Sequence, residues 1–174
     1  MANEYTSAVI AELHARVADN LARWMFSPSA SVTLLTVSEN ATFALRDPDG
    51  RELVLRVHRV GYSSAEEIRS ELAWMNALRR DGVIETAAAV AGSDGQYVQV
   101  LASRTGSPAR FAVAFERLSG TEPDSRDAAP WFERLGELTA LMHRHAHAMH
   151  RGGMKAEVGL AVPAGRSLEQ FCRE

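Results

Sequence analysis

The chain has 174 residues, 46% hydrophobic and 24% charged, so it can bury a core and is not disordered by composition. A formal net charge of -3 argues against a protein built to neutralise phosphate backbones, and the single cysteine, Cys172, excludes an intrachain disulfide framework and any multi-cysteine zinc site. No apolar run approaches the ~20 residues that span a bilayer, and the start MANEYTSAVIAEL lacks a signal-peptide pattern, so the expectation is a soluble cytoplasmic protein whose partners include neither membrane nor nucleic acid.

Residues 7–26 repeat apolar side chains at helical spacing, with Ile10, Leu13, Val17, Leu21, Trp24 and Met25 on one stripe. Pro28 and small polar residues then break the helix. Three strands are predicted next: SVTLLTV (31–37), ATFALR (41–46) and ELVLRVH (52–58). Ser38-Glu39-Asn40 turns the chain between the first two, and Asp47-Pro48-Asp49-Gly50 carries a hairpin signal before the third. Together they read as an antiparallel meander. The helix over 63–80 is well marked: Ser64 with Glu67 three places on forms a capping box, Arg79 and Arg80 suit its negative end, and Asp81-Gly82 stops it. AAAVAG and QYVQVLAS, flanking Ser93-Asp94-Gly95, and then FAVAFE (111–116) complete the strand segments. After a connector without periodicity, Pro130 opens a helix over about 130–148 with Trp131, Leu135, Leu138 and Met142 as its buried stripe. The pattern is weak over 149–174.

One residue is out of place in the second helix. At about 100° per residue, Glu71 falls inside the arc spanned by Ile68, Leu72, Met75 and Leu78. A carboxylate in a buried stripe costs several kcal/mol unless it is paired. Alternation in ELVLRVH puts Leu53, Leu55 and Val57 on one face and Val54, Arg56 and His58 on the other. Arg56, a cation within an apolar strand, is the natural partner of Glu71. A purely structural ion pair is the alternative reading. The order of elements, however, is that of a kinase small lobe, where a strand cation grips the α- and β-phosphates and a helix glutamate holds it.

SENATFALRDPDGRELVLRVHRVGYSSAEEIRSELAWMNAL, then RFAVAFERLSGTEP, then WFERLGELTALMHRHA, resembles the amino-terminal lobe of the aminoglycoside phosphotransferase family, which includes choline kinase-like and homoserine kinase-like enzymes. The likeness covers about residues 30–147. It implies an α+β, protein kinase-like small lobe: a five-stranded antiparallel sheet with a packed helix, plus the start of a helical second lobe. The expected division is an N-terminal helix in 1–30, a nucleotide-binding lobe in 31–120, a linker and first helix of the second lobe in 121–148, and an irregular tail in 149–174. The implied cofactors are ATP and Mg2+, and the implied partners are nucleotide and a small-molecule hydroxyl acceptor. By the resemblance, Ser38, Glu39 and Asn40 turn over the phosphates, Val54 roofs the adenine, and Arg56 contacts phosphates under the control of Glu71. Phe115 stands at the back of the adenine pocket, Glu116 and Leu118 offer backbone groups to the adenine edge, and Gly120 starts the turn to the second lobe.

Two departures from the family pattern matter. Lysine is usual where Arg56 stands; arginine keeps the charge and adds a planar fork. The family's His-Gly-Asp motif occurs nowhere in the chain, and no Asp follows Asp127. The expectation is therefore a truncated phosphotransferase with little turnover and its magnesium ligands in the missing lobe. The alternative is a non-catalytic nucleotide-binding module that self-associates through its exposed cleft face. A metal site on His143, His147 and His150, spaced i, i+4, i+7, is a third reading, set against histidines (His145 and His147 among them) that are simply solvated. No P-loop, GxGxxG or GxSxG motif is present. Trp24, Trp74 and Trp131 are expected in the core.

Overall fold

The computed structural model describes residues 5–103, 105–120 and 129–151, of which 150 and 151 are described by their backbone alone. The described residues divide into two compact units, 5–65 with 87–120 and 66–86 with 129–151.

The first unit is a helix on an antiparallel sheet. Thr6 caps helix α1 (Ser7–Asp19) by accepting from the Val9 amide, and Asn20 ends it. A 3₁₀ turn, Leu21–Trp24, follows. The meander is as predicted: β1 (Ser31–Val37), β2 (Ala41–Arg46) and β3 (Glu52–Val57) pair in sequence. Beyond β3 the order is β6 (Arg110–Glu116), whose far edge takes both β4 (Ala89–Val90) and β5 (Gln99–Leu101). Six segments thus make a sheet five strands wide. The core lies on one face, where Phe43, Leu45, Leu55, Val57, Ala112 and Ala114 meet Leu13, Val17, Leu21 and Trp24. On the outer edge, His14 donates to the Val32 carbonyl at 2.8 Å and covers one polar group of β1.

Met25 departs from the predicted stripe. It is 68% exposed and sits in the left-handed region at φ 58°, where the Met25 and Phe26 amides bond back to Ala22 and Leu21 and close the 3₁₀ turn. The periodicity ends one residue earlier because this position needs a left-handed backbone. An L side chain there costs about 1–2 kcal/mol, while glycine loosens the unfolded chain by about 0.4–1. Met25→Gly is therefore expected to raise stability by about 0.5–1 kcal/mol in urea denaturation.

The second unit contains α2 (Ala65–Arg80) and α3 (Ala129–Arg151). Ser64 stands directly before α2, as the capping signal required. At the other end the Val83 amide bonds to Leu78 and the Gly82 amide to Arg79, with Gly82 at φ 64°, a closure that glycine adopts without strain. Ile68, Leu72, Ala77 and Leu78 are buried, and Glu71, Trp74 and Met75 half-buried. Helix α3 runs three residues past the predicted end. Its predicted stripe is only partly covered: Leu138 and Met142 are half-buried, but Trp131 is 51% and Leu135 57% exposed, which corrects the placement of Trp131 in the core. Periodicity identifies residues that share a face, not whether anything lies against it.

His145 is not simply solvated. Its Nε2 lies 2.9 Å from Asp81 Oδ2. The Arg80 side chain and then His145 bond the Asp81 carboxylate and push its pKa from 3.8 down to about 2. A lowered carboxylate pKa contributes stability above the unfolded value that is lost as pH falls through the folded one. Asp81→Asn should therefore flatten the decline of the denaturant midpoint between about pH 4 and pH 2.

Candidate functional site

The face of the sheet opposite α1 carries the predicted nucleotide residues of the first unit. Alternation along β3 buries Leu53, Leu55 and Val57 in the core and turns Val54 and Arg56, both half-buried, to the other side. The ladders then fix their neighbours. Val54 lies between Ala44 and Phe115, and Phe115 between Val54 and Ala89; Arg56 lies between Thr42 and Val113. The Arg56 guanidinium leans diagonally from its own row, with Cζ 5.1 Å from the centroid of the Phe115 ring.

The remaining predicted residues of this unit sit at the two ends of that face. Glu116 pairs with Leu53 at one end, and its amide donates to the Ala88 carbonyl at 2.9 Å. Leu118 follows two residues on and is exposed. At the other end, Ser38-Glu39-Asn40 enters β2 just before Thr42, which is opposite Arg56. Strand rise puts Leu53 and Arg56 about 10 Å apart. Leu118 and Glu116, Val54, Arg56 and the Ser38-Glu39-Asn40 turn therefore follow one another along one direction.

The turn is braced from within its unit. The Ser38 amide donates to the Asn40 carbonyl at 3.0 Å. Tyr5 donates its hydroxyl to the Glu39 carbonyl at 3.2 Å. Arg59 reaches the Glu39 carboxylate at 3.5 Å, and its amide donates to Asn40 Oδ1 at 3.4 Å. The sequence reading missed Arg59. The β2–β3 register, carried two residues beyond Ala41↔Val57, places Arg59 opposite Glu39 and was the available signal.

Glu71 lies on α2, in the second unit. Among the described residues no group of three or more His, Cys, Asp or Glu is placed to hold a metal ion. His143 and His147 are exposed, while the side chain of His150 and residue Cys172 lie outside the described residues. No described helix is long and apolar enough to cross a membrane.

With this arrangement in view, the model of the phosphotransferase enzyme family matches residues 32–160, well over half of the chain. The chain belongs to this family. A solved structure of the microcompartment-associated aminopropanol kinase is similar at 35% identity and TM-score 0.65, over 80% of this chain and 40% of that one. An amicoumacin kinase in complex with AMP-PNP, Ca2+ and Ami is similar in fold, at 21% identity and TM-score 0.54, over 71% of this chain and 34% of that one. The similarity thus spans less than half the length of either kinase. No curated protein matches the chain. The fold is protein kinase-like, an antiparallel sheet with helices, as the resemblance implied.

Proposed function

We propose that the face of the sheet opposite α1 binds an adenine nucleotide, as part of a phosphotransferase that moves the ATP γ-phosphoryl group to a small-molecule hydroxyl. The observation that carries this reading is the position of Arg56: a half-buried cation on an apolar sheet face, two residues along β3 from Val54 and diagonal to Phe115. Val54 and its alanine neighbour Ala44 offer an apolar surface to the base. Backbone groups of Glu116 and Leu118 meet the base edge, and Arg56 and the Ser38-Glu39-Asn40 turn meet the phosphates. In the transfer, the bond between the γ-phosphorus and the bridging oxygen breaks, a bond to the acceptor oxygen forms, and the acceptor proton leaves. The sequence contains no His-Gly-Asp to receive that proton, so the 174 residues alone are expected to bind nucleotide without turnover. A magnesium-ATP phosphotransfer assay giving appreciable turnover from the purified chain would overturn that part of the reading.

Glu71 completes the proposal as the carboxylate that orients Arg56. Strand alternation in β3 and the helical arc of α2 support the pairing. In denaturant unfolding, Arg56→Ala and Glu71→Ala are each expected to lower stability, and the double variant to lose less than the sum by about 1 kcal/mol or more. Strictly additive losses would remove Glu71 from the site.

A further inference from the structure

We propose that Phe115 is a positioning residue: its ring face carries the Arg56 guanidinium and so sets how strongly the site prefers phosphorylated nucleotides to nucleosides. This rests on the reading of Arg56 as the phosphate contact.

The two residues are not partners in the ladder. Arg56 stands opposite Val113, and Phe115 stands opposite Val54. Their contact requires the arginine to reach across a diagonal, and the guanidinium carbon comes within 5.1 Å of the ring centroid, inside the ~6 Å range of a cation–π contact. Phe115 is buried and lies on an interior strand, between Val54 on one side and Ala89 on the other, so its ring is a fixed support. Its row, Ala44, Val54, Phe115 and Ala89, holds no other aromatic side chain.

Side-chain chemistry makes the choice of arginine intelligible. A guanidinium is planar and weakly hydrated, stacks on an aromatic ring, and still presents N–H groups at its rim. An ammonium lacks the plane. An aromatic residue at 115 therefore suits arginine at 56, and the ring holds the cation while its edge faces the phosphates. Removing the ring frees the guanidinium, and the ordering cost then falls on nucleotide binding. A ligand without phosphates is indifferent to this.

The test compares AMP-PNP with adenosine by titration calorimetry for the full chain, Phe115→Leu, Phe115→Tyr, and Phe115→Leu combined with Arg56→Met. Phe115→Leu is expected to reduce the AMP-PNP:adenosine affinity ratio about five-fold. Phe115→Tyr, which keeps the ring, should restore it. In the Arg56→Met background, Phe115→Leu should leave the ratio unchanged. Equal losses for both ligands would show that Phe115 only shapes the base pocket and would overturn the proposal while leaving the nucleotide reading intact. Failure of the unaltered chain to bind AMP-PNP would overturn the nucleotide reading itself and the ligand half of this proposal with it. A second measurement needs no ligand: a double-mutant cycle of Phe115→Leu and Arg56→Met in denaturant unfolding should show coupling, and additivity would overturn the Arg56–Phe115 contact.

Discussion

Replacing Arg16 with methionine is expected to lower the stability of the chain by about 3 kcal/mol, a large loss for one substitution. The Arg16 side chain is 2% exposed, and all five of its N–H groups are used. Nε and Nη2 bond Glu12 Oε1 at 3.0 and 2.6 Å, and Nη2 also bonds Ser107 Oγ at 2.8 Å. Nη1 donates to the carbonyls of Leu101 at 3.1 Å and Pro108 at 2.8 Å. One guanidinium thus ties α1 to the end of β5 and to the segment leading into β6. Methionine fills much of the volume but strands two carbonyls and a carboxylate. Removing one partner of a buried pair costs about 3–5 kcal/mol, and Glu12, with its side chain 24% exposed, places this case at the lower end.

Two further measurements separate this explanation from a general packing defect. Adding Glu12→Leu to Arg16→Met should recover part of the loss, because no charge is then left without its cation. The second is pH. Burial alone would raise the Glu12 pKa, but hydrogen bonds from Arg16, Ser103 and Ser107 outweigh it and hold the carboxyl below its ordinary 4.5. That contribution is complete above about pH 4.5 and lost as pH falls through the lowered value. The stability gap between the parent chain and Arg16→Met should therefore narrow on the acid side. A loss under about 1 kcal/mol at pH 7, or a gap that does not change with pH, would contradict the account.

The contrast between Arg16 and Arg56 shows what a linear sequence discloses. Arg56 was legible because strand alternation is strict: one cation among Val54, Leu55 and Val57 has a determined face. The β1–β3 boundaries were legible for a similar reason, since the Asp47–Gly50 hairpin fixes the register and Gly50 stands at φ 91°. Arg16 left only the faint signal of a Glu12–Arg16 pair at i, i+4, which on most helices marks a solvated face. Its decisive acceptors, on Leu101 and Pro108, are 85 and 92 residues away and are backbone atoms, so no side-chain pattern announces them. The Arg56–Phe115 contact escaped for the same reason, because it depends on which β6 residue faces Val54. Trp131 and Leu135 failed in the opposite sense: their spacing is correct for a buried stripe, but burial is decided by neighbours. Met25 continued a helical period through the residue where the backbone reverses hand.

Arg56→Ala is expected to weaken AMP-PNP binding about 10- to 100-fold, since hydrogen bonds to charged groups contribute about 1.5–3 kcal/mol each. Arg56→Lys should lose far less, because the ammonium keeps the charge while giving up the planar fork and the stack on Phe115. Adenosine binding should change little in either variant, since the proposed base contacts, Val54 and the backbone near Glu116, are not altered. Salt supplies an independent check. Phosphate recognition by a cation is screened, so raising ionic strength should weaken AMP-PNP binding by the parent chain more than by Arg56→Ala. Each variant is to be checked for folding by circular dichroism and denaturant midpoint, because Arg56 also packs against a buried ring. If a folded Arg56→Ala protein bound AMP-PNP as tightly as the parent, with the same salt dependence, the phosphates would have to be held elsewhere. The face opposite α1 would then lose its claim to be the nucleotide site. If instead AMP-PNP and adenosine affinity fell together, Arg56 would be a support for the pocket wall rather than a phosphate contact.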